Sequence, residues 1–477
     1  MHSKLLNRRK FIWGLGVSAL SSSLLLPTTQ VRASKTKRSP SVLVLGAGLS
    51  GLYTALLLER AGVKVVVLEG RDRVGGRIYT LDNLPGKPEA GGQGFSEKYQ
   101  RLLALAASLQ VPTAQANPPA RDSLLYVRSH PILSSDWAAS TANKLAETER
   151  STLPPRLLTS YLSPDNPLPD ETAWIRAEYA DLDISLKQYL SANGASPEAL
   201  RLMNFNPGSL FNSVEATSAL WALRNNQRAK TPSKQPMRIE GGNSRLPEKM
   251  AAALKSPVQK RKIVTSIMSS DTCVEVECTD GSTFQANYVV VTLPFSVLRR
   301  IKITPPLQGR QAQAVAELPY TVVTPIQLAV RRPFWEEDGF PMQMWTDTPL
   351  ENILPVKDPT GTQNLVCITG GVKAQQLDAM NPQVLAEFVQ SELARIRPAS
   401  KGNVEVTKVV SWGRDPFARG AYAHFAPGQI RRFQGKMAQP WQRIHFAGEH
   451  TAISSSGMEA ALESAERVAN ELLARIK

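Results

Sequence analysis

Residues 41–51 read SVLVLGAGLSG, a short β-branched run that opens into Gly46-x-Gly48-x-x-Gly51. Glycine-rich turns are common, so the flanks decide how this one is read. LYTALLLERAG at 52–62 sets Leu52, Ala55, Leu56 and Leu58 at helical spacing, ends on the polar pair Glu59-Arg60, and offers Gly62 as a C-terminal cap. VKVVVLE at 63–69 reads as a second buried parallel strand that ends on Glu69. The acid falls 18 residues after Gly51, the setting in which such a triplet binds a dinucleotide. Gly46 permits the tight turn, Gly48 lets a diphosphate approach the main chain, and Gly51 lets helix and strand pack closely. Leu49 and Ser50 open the helix beside that diphosphate. Glu69 can accept hydrogen bonds from ribose hydroxyls.

A second glycine loop follows at once, RDRVGGRIYT at 71–80, which a simple nicotinamide-binding unit does not need. Arg73-x-Gly75-Gly76-Arg77-x-x-Thr80 resembles the second glycine motif of the glutathione-reductase-like FAD proteins. The resemblance is strongest to the flavin amine oxidase superfamily of monoamine, polyamine and L-amino acid oxidases. It implies that Gly75 and Gly76 bring backbone against FAD and that Arg77 offers paired donors to the diphosphate. Gly70, Arg71 and Arg73 stand beside them, with Gly70 and Arg71 the candidate contacts.

The resemblance returns twice more along the chain. VQKRKIVTSIMSSDTCVEVECTDGSTFQANYVVVT at 258–292 reads as strand, Asp280-Gly281 hairpin and strand, because Val274, Val276 and Cys278 alternate with glutamates. The family implies that Val264 meets the adenine through its backbone. Near the end, IHFAGEHTAISSSGMEAALESAERVANELLARIK reads as a strand running to Gly448-Glu449 and then an amphipathic helix. Ser456-Gly457-Met458-Glu459 has the spacing of a capping box, which predicts a helix start at Ser456. The resemblance places that helix end at the flavin pyrimidine, with Met458 as donor and Gly457 beside it. The expected fold is α/β: a glutathione-reductase-like FAD-binding domain (41–115, 235–295, 401–477) interleaved with an α+β substrate-binding domain (116–234, 296–400).

At the flavin face, WGRDPFARGAYAHFAPG (412–428) is similar to the polyamine-oxidase type. The resemblance implies Tyr422 as one wall of an aromatic cage for the substrate nitrogen and Trp412 as the tryptophan beside the flavin. Three positions depart from the family. Ala421 replaces the cysteine that bonds flavin in mitochondrial monoamine oxidases, which implies noncovalent FAD. Gly457 replaces the second cage aromatic. Pro325, in TPIQLAVRRPFW, replaces the usual lysine, and Gln327, two residues on along the same strand, is the candidate substitute.

The resemblance implies FAD-dependent oxidation of the carbon bearing an amine, with hydrolysis of the imine and reduction of dioxygen, or of another acceptor, to hydrogen peroxide in the dioxygen case. An L-amino acid, with L-Arg or L-Lys among the candidates, is the expected substrate, since the chain looks most like exported bacterial L-amino acid oxidases. A mono- or polyamine oxidase is the alternative, and a flavin-binding protein or another flavin desaturase the second. The arginine that pairs the carboxylate in venom-type enzymes would align near Gly94 and is missing. A basic substrate needs a distant carboxylate, and Asp181, Asp183 and Glu215 are unranked candidates.

Residues 1–33 stand apart from the fold. They carry Arg8-Arg9-Lys10, an apolar stretch from Phe11 to Leu26, and Ala33 at a cleavage position, similar to a twin-arginine export signal. The stretch is shorter than the roughly 20 residues a membrane span needs. Residues 34–40 form a linker, and a soluble periplasmic or extracytoplasmic location is expected. The chain of 477 residues has net charge +15, of which Lys4, Arg8, Arg9, Lys10 and Arg32 leave with the signal. The remaining basic surface suits at most weak peripheral contact with anionic membrane. Nucleic acid is not expected, because the patches KTKR (35–38) and KRK (260–262) lack interleaved aromatics. The three cysteines and five histidines show no metal spacing and no disulfide framework. Oligomeric state is not legible.

Overall fold

The computed structural model describes residues 41–116, 122–163, 165–205, 211–227, 236–357 and 363–476. The signal and linker readings of 1–33 and 34–40, and the 234/235 boundary, lie outside the described residues.

β1 (Ser41–Leu45) lies inside a four-stranded parallel sheet, between β2 (Lys64–Leu68) and the strand Tyr288–Val291, with Ile444–Phe446 beyond the latter. Parallel neighbours require crossovers, and α1 (Leu49–Arg60) supplies the first. The sheet is built from three distant stretches of chain. Its strands are apolar throughout because both faces are covered: Val42, Val44, Leu45, Val289 and Val290 are fully buried. On one face α1 packs against the C-terminal helix Gly457–Ile476, where Ser50 Oγ and Ser464 Oγ are 3.0 Å apart. The close approach behind α1 depends on Gly51, since a Cβ there would sit 1.9 Å from the Gly46 carbonyl oxygen. Gly46 makes the turn itself at φ +104°, a conformation only glycine adopts without strain.

The segment 258–292 folds as its alternation predicts. Val264–Ser269, Val274–Cys278 and Thr283–Ala286 form an antiparallel meander, with Lys302–Thr304 added alongside the first strand. Val274, Val276 and Cys278 point inward and the intervening Glu275 and Glu277 outward.

A seven-stranded sheet makes the other wall. Its order is Val404–Val409, Val323–Val330, Gln363–Gly370, Asn352–Lys357, Met344–Thr346, Leu124–Val127, His130–Leu133. Short helices between 134 and 227 pack on one core that runs from Leu43, Leu45 and Leu68 to Trp174, Leu186 and Phe425. The stretch ISLKQYLSANG carries the helix Leu186–Ala192, capped by Ser185 Oγ accepting from the Gln188 N–H.

One local expectation is corrected. The last helix runs from Gly457, with the Ser456 carbonyl accepting from the Ala460 N–H (3.3 Å) at the expected N-cap position, but Ser456 and Glu459 close no capping box. The Glu459 carboxylate instead accepts from the N–H groups of Arg101 (2.9 Å) and Leu102 (3.1 Å), at the start of α2 (Gln100–Ser108). A neighbouring helix offers two unpaired donors there, and spacing along one segment cannot reveal them. The loop into the last helix is held by Glu463, which accepts from the backbone of Ile453, Ser454 and Ser455.

Among the described residues no helix is long and apolar enough to cross a membrane, and no group of His, Cys, Asp and Glu side chains could hold a metal ion.

Candidate active site

A cavity of about 560 Å³ runs from the carboxyl end of the parallel sheet to the seven-stranded sheet. Nearly every residue singled out in the sequence borders it. The first glycine turn contributes Gly46, Gly48, Leu49 and Ser50, and the end of β2 contributes Glu69, Gly70 and Arg71. The second loop brings Gly75, Gly76 and Arg77, the hairpin brings Val264, and the C-terminal stretch brings Gly448, Glu449, Gly457 and Met458. Trp412 and Tyr422 line it too. Gly51 and Gln327 do not. Gly51 is packed behind the turn. Gln327 shares the Pro325 face of its strand, but it stands one row further along, against Val366, and is 3% exposed.

The dinucleotide end is built for an anion with a sugar beside it. A Cβ added at Gly48 would meet nothing within 4 Å, so the wall is bare there. The Glu69 carboxylate accepts from the N–H groups of Ala47 (2.7 Å) and Arg71 (2.9 Å), and burial pushes its pKa up against those bonds. Arg71 is held by a bidentate pair with Asp415, at 2.7 and 2.6 Å, and lies over the Phe417 ring. Arg73 turns inward on its own loop, donating to the carbonyls of Val74, Gly76 and Ile78 and stacking on Tyr79. It organises the loop and does not line the cavity, and burial lowers its pKa to about 10. Arg77 Nη1 donates to the Ala421 carbonyl (2.5 Å) and to Glu449 (2.8 Å). That pairing neutralises both charges and leaves Nε and Nη2 for a ligand.

At the other end Trp412 is anchored by Nε1–H donating to the Ala90 carbonyl at 2.6 Å. Tyr422 stands on a backbone pinned by Thr321, whose hydroxyl accepts from the Tyr422 N–H at 3.0 Å. Opposite it, the gap left by Gly457 is approached by Tyr99. A Cβ at 457 would lie 3.4 Å from the Tyr99 hydroxyl and 3.8 Å from the Tyr422 ring. Two phenols therefore flank the glycine, one of them from a segment 358 residues upstream.

Several contributors escaped the sequence reading. Gly91 and Gly92 line the cavity so closely that a Cβ on Gly91 would fall 1.9 Å from the Arg77 carbonyl oxygen. Their pairing in EAGGQG was a visible signal. Asn352, Leu354, Ile368 and Gly370 carried none, because they lie on ordinary strands. Gly94 lines the cavity without any side chain to clamp a carboxylate. Asp181, Asp183 and Glu215 lie elsewhere. Asp183 accepts from the Ser218 hydroxyl (2.7 Å) and the Arg431 N–H (3.1 Å), Glu215 pairs with Lys187 at 3.5 Å, and Asp181 is exposed.

Comparison with known proteins agrees with this architecture. The family model for flavin containing amine oxidoreductases matches residues 49–473. The chain is 28% identical to a flavin-containing amine oxidase of Oncorhynchus mykiss over 460 residues, covering 91% of this chain and 85% of that protein. It is 27% identical to the flavin-containing amine oxidase B of Homo sapiens over 467 residues, covering 91% and 86%. Among solved structures, putrescine oxidase bound to putrescine superposes with TM-score 0.76 at 24% identity, covering 92% of this chain and 99% of that one. Cyclohexylamine oxidase from Brevibacterium oxydans IH-35A gives TM-score 0.75 at 21% identity over the same shares. With the match spanning the second glycine loop, the hairpin and most of the last helix, the chain belongs to the flavin-containing amine oxidoreductase family and is an amine-oxidising enzyme whose cofactor is FAD.

Proposed function

We propose that the protein oxidises an amine whose tail carries no charge, passing the electrons to dioxygen. One observation carries this reading. Among the described residues lining the cavity, the charged ones are Glu69, Arg71, Arg77, Lys262 and Glu449, and all belong to segments around the parallel sheet. The seven-stranded sheet contributes Val323, Pro325, Asn352, Leu354, Ile368 and Gly370, none of them charged. Burying an unpaired carboxylate or second ammonium against such a wall costs several kcal/mol. The expected L-amino acid substrate needs an arginine that this wall does not supply, and a diamine needs a carboxylate that it lacks too.

Bound FAD supplies the two-electron acceptor. The residues of the chain do the rest by placement. The backbone N–H groups at Gly457 and Met458 begin a 20-residue helix at the cavity, which favours negative charge there. The apolar wall disfavours the ammonium form of the substrate and so favours the free amine. Tyr422 confines its nitrogen beside Gly457, with Tyr99 filling the space behind the glycine. Noncovalent attachment of FAD is supported by the lack of any cysteine or histidine among the described lining residues. Export by residues 1–33 stands on Arg8-Arg9 and the apolar stretch alone, and cleavage after Ala33 in an exporting host is its check.

The test is a hydrogen peroxide assay on holoprotein with tyramine, 2-phenylethylamine, putrescine, spermidine, L-arginine and L-phenylalanine. The two arylalkylamines should exceed the charged-tail substrates by about a hundred-fold in kcat/KM, the equivalent of about 2.7 kcal/mol. Preference for L-arginine or putrescine would overturn the proposal.

A further inference from the structure

The seven-stranded sheet turns one cross-strand row toward the cavity. Pro325, Ile368 and Asn352 stand in register on three neighbouring strands, and Trp345 continues the row on a fourth. Directly opposed residues of an antiparallel pair share a face, with Cβ atoms about 4.5–5.5 Å apart. The first three line the cavity, and Val323 and Leu354 beside them are apolar.

Asn352 breaks that apolar surface. Its carboxamide is half-buried and makes no hydrogen bond among the described residues. Next in the row, Trp345 is 3% exposed and its indole Nε1–H finds no acceptor among the described residues. Two neighbouring polar groups are thus left unanswered on a wall of otherwise apolar side chains. Of the other polar lining side chains, Gln93 is exposed and keeps its water.

We propose that Asn352 selects the far end of the substrate, taking a neutral oxygen substituent such as a phenol or alcohol hydroxyl, with the Trp345 indole behind it. A hydroxyl matches the carboxamide in both senses, accepting from its NH₂ and donating to its carbonyl. A bare hydrocarbon tail in the same place strips water from the amide and returns nothing, which is the costly side of the hydrogen-bond asymmetry. Aliphatic neighbours exclude water from the contact. A charged substituent is refused, because the wall holds no opposite charge. The inference rests on the reading of this cavity as an amine-oxidising site.

Two measurements on holoprotein test it independently. In the first, kcat/KM for tyramine is compared with that for 2-phenylethylamine, which lacks the hydroxyl. The wild-type ratio should be about ten-fold or more, and Asn352→Leu should bring it near unity. Asn352→Ser, which replaces the carboxamide with a hydroxyl that can still donate and accept, should give an intermediate ratio and guards against a Leu variant that fails to fold. In the second, p-cresol and toluene are titrated against the flavin absorbance, reading Kd without turnover; p-cresol should bind about ten-fold tighter, and the Leu variant should erase the difference. Equal Kd values in the wild type, or ratios unmoved by substitution, overturn the role of Asn352. Failure to oxidise either amine while the p-cresol preference holds overturns the uncharged-tail reading of the substrate and leaves Asn352 as the oxygen-selecting residue of the cavity.

Discussion

Two alanine substitutions three residues apart should separate the fold from the cofactor site. A Cβ at Gly51 would sit 1.9 Å from the Gly46 carbonyl oxygen and 2.9 Å from Thr292 Oγ1, far inside any real contact. The clash is with backbone, so α1 must move off the sheet by about an ångström, and such overpacking costs about 1–3 kcal/mol. Against that, alanine is the better helix former by about 0.8–1 kcal/mol, so the net loss is smaller than the clash alone. With unfolding entropy of about 2.1 cal/mol/K per residue over some 400 residues, each kcal/mol lowers Tm by about 1 °C. Gly48→Ala meets no protein atom within 4 Å, and the backbone there (φ −78°, ψ 179°) suits any residue. Its methyl group fills only the space where a diphosphate comes closest.

Flavin-stripped Gly51→Ala should therefore melt about 1–2 °C below wild type, whereas stripped Gly48→Ala should melt with wild type. In a flavin fluorescence titration Gly48→Ala should weaken FAD binding about ten-fold or more, which is about 1.4 kcal/mol. Differential scanning fluorimetry resolves the first difference and the titration the second. If Gly48→Ala bound FAD with the wild-type Kd, or destabilised the apoprotein as much as Gly51→Ala, the assignment of the bare wall to the cofactor would be wrong.

Two further tests concern stability. Burial raises the Glu89 pKa from 4.5 to about 7, although the carboxylate accepts from the Asn243 N–H (2.7 Å) and the Thr80 hydroxyl (3.0 Å). Between those values the folded protein holds a proton that the unfolded chain has released, so stability falls as pH rises through that window. Glu89→Gln should flatten the decline in Tm between pH 5 and 7.5, and parallel profiles for variant and wild type would refute the linkage. Glu459→Ala removes both acceptors from the start of α2 and should cost about 0.5–2 kcal/mol in denaturant unfolding. An unchanged midpoint would show that the cap contributes nothing.

What the amino-acid order determined alone was whatever depends on near neighbours. Gly46, Gly48 and Gly51 follow a strand and open a helix, and Gly75 and Gly76 follow the next strand, so the turn chemistry is complete within 40 residues. Val274, Val276 and Cys278 declare their strand through alternation that any buried face imposes. These are short-range constraints of sterics and period, and they led to a dinucleotide site, which the resemblance of the second loop made an FAD site. The failures have the opposite character. Glu459 matched a local capping rule, yet its carboxylate went to a helix that starts 359 residues earlier. Gln327 lay on the right face of the right strand but one row too far along. Tyr99 fills the space beside Gly457, Asp415 fixes Arg71, and Asn352 stands between Ile368 and Trp345, only because sheets and helices bring distant segments together. Substrate choice is written in those long-range juxtapositions, since what a cavity wall accepts depends on which side chains share it, and chain position does not specify that.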